Sequence, residues 1–195
     1  MAYINISETQ FAFTFFHKYL LLNKTDDLSF VFPSLRQEGD PNNEIAGADL
    51  VVNTNLFFQF KNVELLKTRN GSEILNGLIT DIDPPYFRLW IKNNPPSKQF
   101  DLLVKAASKK GNIVRYVSPL FDYKSNKEDE DAFKVFFKAS PIEAMNYVCT
   151  IDFKQFLKSP RLKISPDNSH KICYSRESVL SRKFCYVFLN LNFLK

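Results

Sequence analysis

Apolar residues recur at helical spacing near the start of the chain. Phe11, Phe15, Phe16, Tyr19 and Leu20 fall on one side of a 3.6-residue period. Ser7 ahead of them can cap a first turn, and Glu8 and Gln10 sit within that turn. The spacing predicts an amphipathic helix over residues 7–22. Between residues 26 and 43, Pro33, Gly39 and Pro41 break any period and predict an irregular connection. Two short apolar runs follow, ADLVVN at 48–53 and LFFQF at 56–60. With Thr54 and Asn55 between them they predict a β-hairpin, although the turn lacks the favoured Asn-Gly pair. Residues 86–92 (YFRLWIK) alternate and predict a third strand. After Pro95 and Pro96, Ser97 can cap a helix to about Lys109, with Phe100, Leu103, Val104 and Ala107 on one face and Gly111 as its stop. Residues 113–117 are a β-branched strand closed by Pro119. The mixed charge run 124–131 leads as a solvated segment into a helix through 132–138. Strands are expected at 147–153 and 170–174. The apolar stretch 184–194 reads as a buried strand or a partner-binding surface, with burial favoured. This order predicts an α/β domain with a mixed central sheet flanked by helices. The core spans about 7–119, and a less regular C-terminal extension follows from about 120.

Composition narrows the class. The chain has 195 residues, 45% of them hydrophobic, with 20 Phe and 5 Gly, a balance that supports one folded domain rather than disorder. A formal charge of +5 is compatible with a polyanionic partner without identifying one. Cys149, Cys173 and Cys185 are odd in number and lack CxxC spacing, which argues against a disulfide framework and structural zinc. They read as small buried hydrophobes in a reducing cytoplasm. No signal peptide is expected, and no stretch approaches the ~20 apolar residues needed to span a bilayer. GxGxxG and Walker A patterns are absent, so a nucleotide-hydrolysing engine would belong to another chain.

The chemistry concentrates in the predicted hairpin. Alternate side chains of a strand share a face, so Gln59 and Lys61 point one way and Phe58 and Phe60 the other. Asp49 begins the partner strand, near the end of the second. A carboxylate, an amide oxygen and an ammonium thereby converge. A hard cation such as Mg²⁺ takes oxygen ligands of this kind. Asp49 and Gln59 are candidate ligands, joined by the backbone carbonyl of Phe60. Lys61 can orient a water or stabilise charge developing on a phosphate. Blander readings stand beside these: Asp49 as a turn residue, Lys61 as a snorkelling strand-end lysine, and Glu8 as a charge favoured by the helix dipole. Gln59 among phenylalanines is harder to dismiss, because a buried amide needs partners. His17 and His170 read as packing or surface residues, with no nucleophile placed beside them.

The pattern Asp49, Gln59, Lys61 on an apolar hairpin resembles the PD-(D/E)xK superfamily of restriction-endonuclease-like nucleases. It is closest to the Mrr-like branch, in which Gln replaces the second acidic residue. The resemblance covers about residues 7–119. It implies a metal-dependent nuclease using Mg²⁺ (or Mn²⁺), with Glu8 on the first helix completing the metal site. DNA is the implied substrate, and restriction of phage or plasmid DNA the implied setting. Target recognition would fall to a homodimer or a partner protein. Gln99, in the first turn of the second core helix, is a candidate contact to phosphate or attacking water. Lys98 and Lys105, with Lys109, Lys110 and Arg115, form a basic cluster that can neutralise backbone phosphates. Two departures matter: Ala48 stands where the family has Pro, and Gln59 is neutral. Glu44 or Glu38 can compensate for the missing charge if the preceding loop folds back. The first rival reading is a catalytically silent nuclease-like scaffold that binds nucleic acid or a partner protein; the second is a small α/β interaction module unrelated to nucleases, in which Asp49, Gln59 and Lys61 do not converge.

Overall fold

In the computed structural model Ser7 caps the first helix. Its hydroxyl accepts from the Gln10 amide at 3.1 Å, and its own amide donates to Gln10 Oε1 at 2.7 Å, a reciprocal capping box. The structure describes residues 7–23, 28–40, 42–45, 47–75, 82–92, 98–121, 127–157, 169–175 and 185–189. Helix α1 (Glu8–Asn23) buries Phe11, Phe15 and Phe16. Phe15 meets Phe58 and Phe60 edge-on at 5.5 and 5.6 Å between ring centroids, and Phe11 meets Phe60 at 6.1 Å. Each such ring contributes about 1.5–3 kcal/mol by leaving water. Lys18 is also buried on α1, a charged residue on the face that Phe11 and Phe15 share. Its Nζ donates to the Ala139 carbonyl at 2.6 Å, just beyond helix α5 (Lys127–Lys138). A cation is favoured at that negative helix end.

A five-stranded mixed sheet carries the site. Its order is β1 (Phe30–Val31), β2 (Leu50–Val52), β3 (Leu56–Phe60), β6 (Ile113–Pro119) and β7 (Val148–Asp152). Strands β3 and β6 are parallel and the other neighbours antiparallel. The β2–β3 hairpin turns through Asn53 and Thr54, both at positive φ (49° and 64°). Asn53 is held there by the β1 segment: its amide donates to Ser29 O at 2.9 Å and its Oδ1 accepts from Ser29 N at 3.0 Å.

Residues 86–92 form the strand expected of them, β5 (Tyr86–Lys92), but in a different sheet from the hairpin. A second, antiparallel sheet runs in the order β4 (Val63–Leu66), β5, β8 (Ser169–Tyr174) and β9 (Cys185–Leu189). The physical reason is β4, a four-residue run without alternation that pairs with β5 in place of the hairpin. Glu64 and Arg88 are register partners and form an ion pair across it. The last third, expected to be an irregular extension, supplies β7 to the first sheet and β8 and β9 to the second. The connection at 26–43 likewise holds β1 and a capped short helix, α2 (Leu35–Gly39).

The first sheet separates two apolar clusters. On one face α1, α5 and α6 (Pro141–Ala144) cover Phe58, Phe60 and Val117. On the other, α4 (Lys98–Ser108), the start of α7 (Phe153–Leu157) and the second sheet cover Val51, Phe57 and Tyr116. A Ser118–Tyr174 hydroxyl contact of 2.8 Å links the two sheets. Cys149 and Cys173 are buried free thiols, as their scattering suggested. No helix among the described residues is long and apolar enough to cross a membrane.

Two outcomes follow. A β-branched residue at φ 64° is strained, and glycine carries no such penalty. Thr54→Gly is therefore expected to raise stability by about 1 kcal/mol in urea unfolding. Burial pushes the Cys149 thiol up to about 12, so it stays protonated in the folded chain across the range where an unfolded thiol ionises. Stability contributed by this group falls as pH rises through about 9 toward 12. Iodoacetamide at pH 8 is expected to leave Cys149 unmodified until urea is added, as read by peptide mass spectrometry.

Candidate metal and phosphate site

The site is built where β2 stops short of the end of β3. The Asp49 amide donates to Phe58 O at 2.9 Å, although Phe58 is the register partner of Leu50; the chain slips there by one residue, as in a bulge. Among the described residues no strand flanks β3 beyond this point on its β2 side. The Asp49 carboxylate takes that place. Its Oδ2 accepts from the Phe60 amide at 2.7 Å and from Gln59 Nε2 at 2.6 Å. Two residues further along the same strand edge, the Asn62 amide donates to Glu8 Oε2 at 3.0 Å. Two carboxylates thus hold successive outward amides about 7 Å apart.

Gln59 is the buried polar residue that the sequence marked as hard to dismiss; it is 1% exposed. Its Nε2 faces two acceptors, Asp49 Oδ2 and Phe60 O, the latter at 3.1 Å. These fix the amide's orientation and leave Oε1 buried with no hydrogen-bond partner. An orphaned buried acceptor costs roughly 1–3 kcal/mol. A buried oxygen in this state matches the donor chemistry of a hard cation, but these bonds turn Nε2 rather than Oε1 toward Asp49 and the Phe60 carbonyl, so an ion shared by all three would require the amide to turn over. Among the described residues no group of three or more His, Cys, Asp or Glu side chains converges, so such a site would rest on mixed oxygen donors.

Lys61 continues the same face. Its Nζ donates to Gln99 Oε1 at 2.6 Å, which joins the end of β3 to the first turn of α4. Gly47 sets that spacing from below. It sits at φ 83°, and a Cβ there would lie 3.0 Å from Leu102 Cβ and 3.1 Å from Gln99 O. Only glycine lets the segment leading to Asp49 pass so close under α4.

Asp49, Glu8 and Phe60 line one cleft of about 220 Å³, together with Thr9, Ala12, Phe13, Phe32 and Pro33. Lys98 stands exposed at the start of α4. Lys105 lies elsewhere, in a small cavity with Asn42, Asn43, Glu44 and Lys109. Glu44 pairs with Lys109 at 3.1 Å, so the proposed compensation by Glu44 is replaced by a surface ion pair. Glu38 lies in α2. Lys110 is exposed and Arg115 half-buried on β6. His17 is exposed on α1, and His170 lies in β8 opposite Lys92. A larger groove of about 840 Å³ runs between α5 and α6, but its Asp131, Lys134, Lys138 and Glu143 mix charges without a convergent set. The phenylalanines of the cleft wall were missed in the sequence; Phe32 lay in a segment read as irregular, and Phe13 sits off the apolar face of α1.

No protein-family model, curated protein or solved structure matches the chain.

The contact between Asp49 Oδ2 and Gln59 Nε2 makes a specific outcome testable. Gln59→Glu puts a second carboxylate against the first. Like charges at that distance are expected to lower stability at neutral pH by roughly 2 kcal/mol. Mg²⁺ is expected to restore the loss, so the rise in Tm on adding Mg²⁺ should be larger for Gln59→Glu than for wild type. An equal or smaller rise would show that no cation binds between these positions.

Proposed function

We propose that the chain is a metal-dependent nuclease domain of restriction-endonuclease-like type, hydrolysing phosphodiester bonds, with DNA the expected substrate. The observation that carries the reading is the cluster at the end of β3. There the Gln59 side-chain amide lies against the Asp49 carboxylate and the Phe60 carbonyl, its Oε1 buried and unpartnered, with Glu8 on the adjoining backbone amide. Asp49, the Phe60 carbonyl and, once its amide turns over, Gln59 Oε1 would hold Mg²⁺ or Mn²⁺, with Glu8 assisting. The bound ion supplies Lewis acidity and a water of lowered pKa. Lys61 brings a fixed positive charge. Gln99 accepts one of its three N–H bonds and aims the others, which can donate to a phosphate oxygen as negative charge builds on it. A setting in restriction of invading DNA extends this reading.

One observation favours a second reading. The site's polar groups largely satisfy one another, Lys61 with Gln99 and Gln59 with Asp49, and its metal charge rests on two carboxylates. A silent scaffold that binds nucleic acid or a partner protein would carry the same frame.

Cleavage of plasmid and single-stranded DNA with Mg²⁺ or Mn²⁺ separates the two. Lys61→Ala and Asp49→Asn are expected to cut at least about 100-fold more slowly than wild type. Asp49→Asn retains an oxygen for the Phe60 amide, so its circular dichroism should match wild type while Mn²⁺ binding, followed by electron paramagnetic resonance, is lost. Retained DNA binding with no metal binding and no cutting by wild type would establish the scaffold.

A further inference from the structure

Three phenylalanines lie at the surface beside the carboxylates. Phe13 is 58% exposed, Phe30 48% and Phe32 41%. They are not scattered. Phe13 and Phe32 lie 5.7 Å apart at an interplanar angle of 31°, and Phe30 and Phe32 lie 6.2 Å apart. Phe16, buried on α1, braces both, with its ring 4.8 Å from Phe30 and 5.2 Å from Phe32. The rings are therefore held in position rather than left loose, and they are part-exposed to water at a cost in hydrophobic free energy. Scattered apolar residues need no explanation, but a braced cluster does.

The position of the cluster says what covers it. Phe13, Phe32 and Pro33 line the same cleft as Asp49, Glu8 and Phe60. One small space thus brings aromatic rings and carboxylate oxygens together. Its volume, about 220 Å³, is below the ~300–1,000 Å³ that encloses a whole drug-sized ligand. It suits a flat ring whose attached phosphate would reach the carboxylates through a bound cation. We propose that an unpaired nucleobase of the substrate stacks on Phe13 and Phe32 while its phosphate lies by the carboxylates. The preferred nucleic acid is accordingly single-stranded or frayed, since a base inside a duplex cannot offer its face. The phosphate placement rests on the nuclease reading; the stacking does not.

The test is binding of fluorescein-labelled oligothymidylate and of a matched duplex, followed by fluorescence anisotropy. Ca²⁺ replaces Mg²⁺ to keep the strands intact. The variants are Phe32→Leu, which keeps an apolar side chain without a π-face, and the Phe13→Ser/Phe32→Ser pair. Phe32→Leu is expected to weaken single-strand binding about tenfold while leaving duplex binding and Mn²⁺ binding unchanged. Single-strand affinity unaltered by either variant, or an equal loss for single strand and duplex, overturns the inference. A shift from oligomer to monomer in the Phe13→Ser/Phe32→Ser pair, seen by sedimentation, also overturns it and assigns the wall to a contact between copies. Phe32-dependent strand binding without Mn²⁺ binding or cutting would keep the stacking and sink the nuclease. Mn²⁺-dependent cutting with no Phe32 dependence would do the reverse.

Discussion

The Asp49 carboxylate stands in for a strand that ends too early. Strand β2 begins at Leu50, while β3 continues to Phe60 and its backbone runs on through Asn62. Amides on that edge would lack partners, and a part-buried amide left unpaired costs about 1–3 kcal/mol. Asp49 Oδ2 satisfies Phe60 N, and Glu8 Oε2 satisfies Asn62 N. Hydrogen bonds to ionised acceptors are shorter and stronger than neutral ones. The same bonds that close the sheet therefore fix two carboxylates side by side. The slip at Asp49 brings its side chain to the strand end instead of letting its backbone continue the ladder.

Gln59 shows how far local pattern carries. The alternation in residues 56–61 placed Gln59 with Lys61 and against Phe58 and Phe60, and the packing of Phe58 and Phe60 on α1 follows it. The helix cap at Ser7 and the bounds of β3 and β5 were legible for the same reason: capping and alternation act within a few residues. The assignment of β5 to a sheet was not legible. It depends on β4 and β8, and β8 lies some 80 residues further along. Sheet membership is a long-range choice that a short apolar run does not encode. Lys105 and Glu44 were not legible for a different reason. Each has a nearer partner or cavity than the site, and charge spacing along the chain says nothing about which opposite charge arrives first.

The excess of phenylalanine has two uses in this fold. Most rings fill the two clusters on either side of the first sheet. Three others, Phe13 on α1, Phe30 on the edge strand β1 and Phe32 just beyond it, form a braced surface beside the cleft. A ring such as Phe16, buried and in contact with both sets, connects core rigidity to surface shape.

The site draws its parts from both sides of the sheet. Glu8 arrives on α1, which belongs to one apolar cluster, and Gln99 arrives on α4, which belongs to the other. Neither layer alone can assemble it. A chain in which one layer has condensed and the other has not holds an incomplete constellation. Assembly of the site is in this sense self-proofread: the joined set of side chains reports that two separate cores have formed, and loosening either one takes it apart.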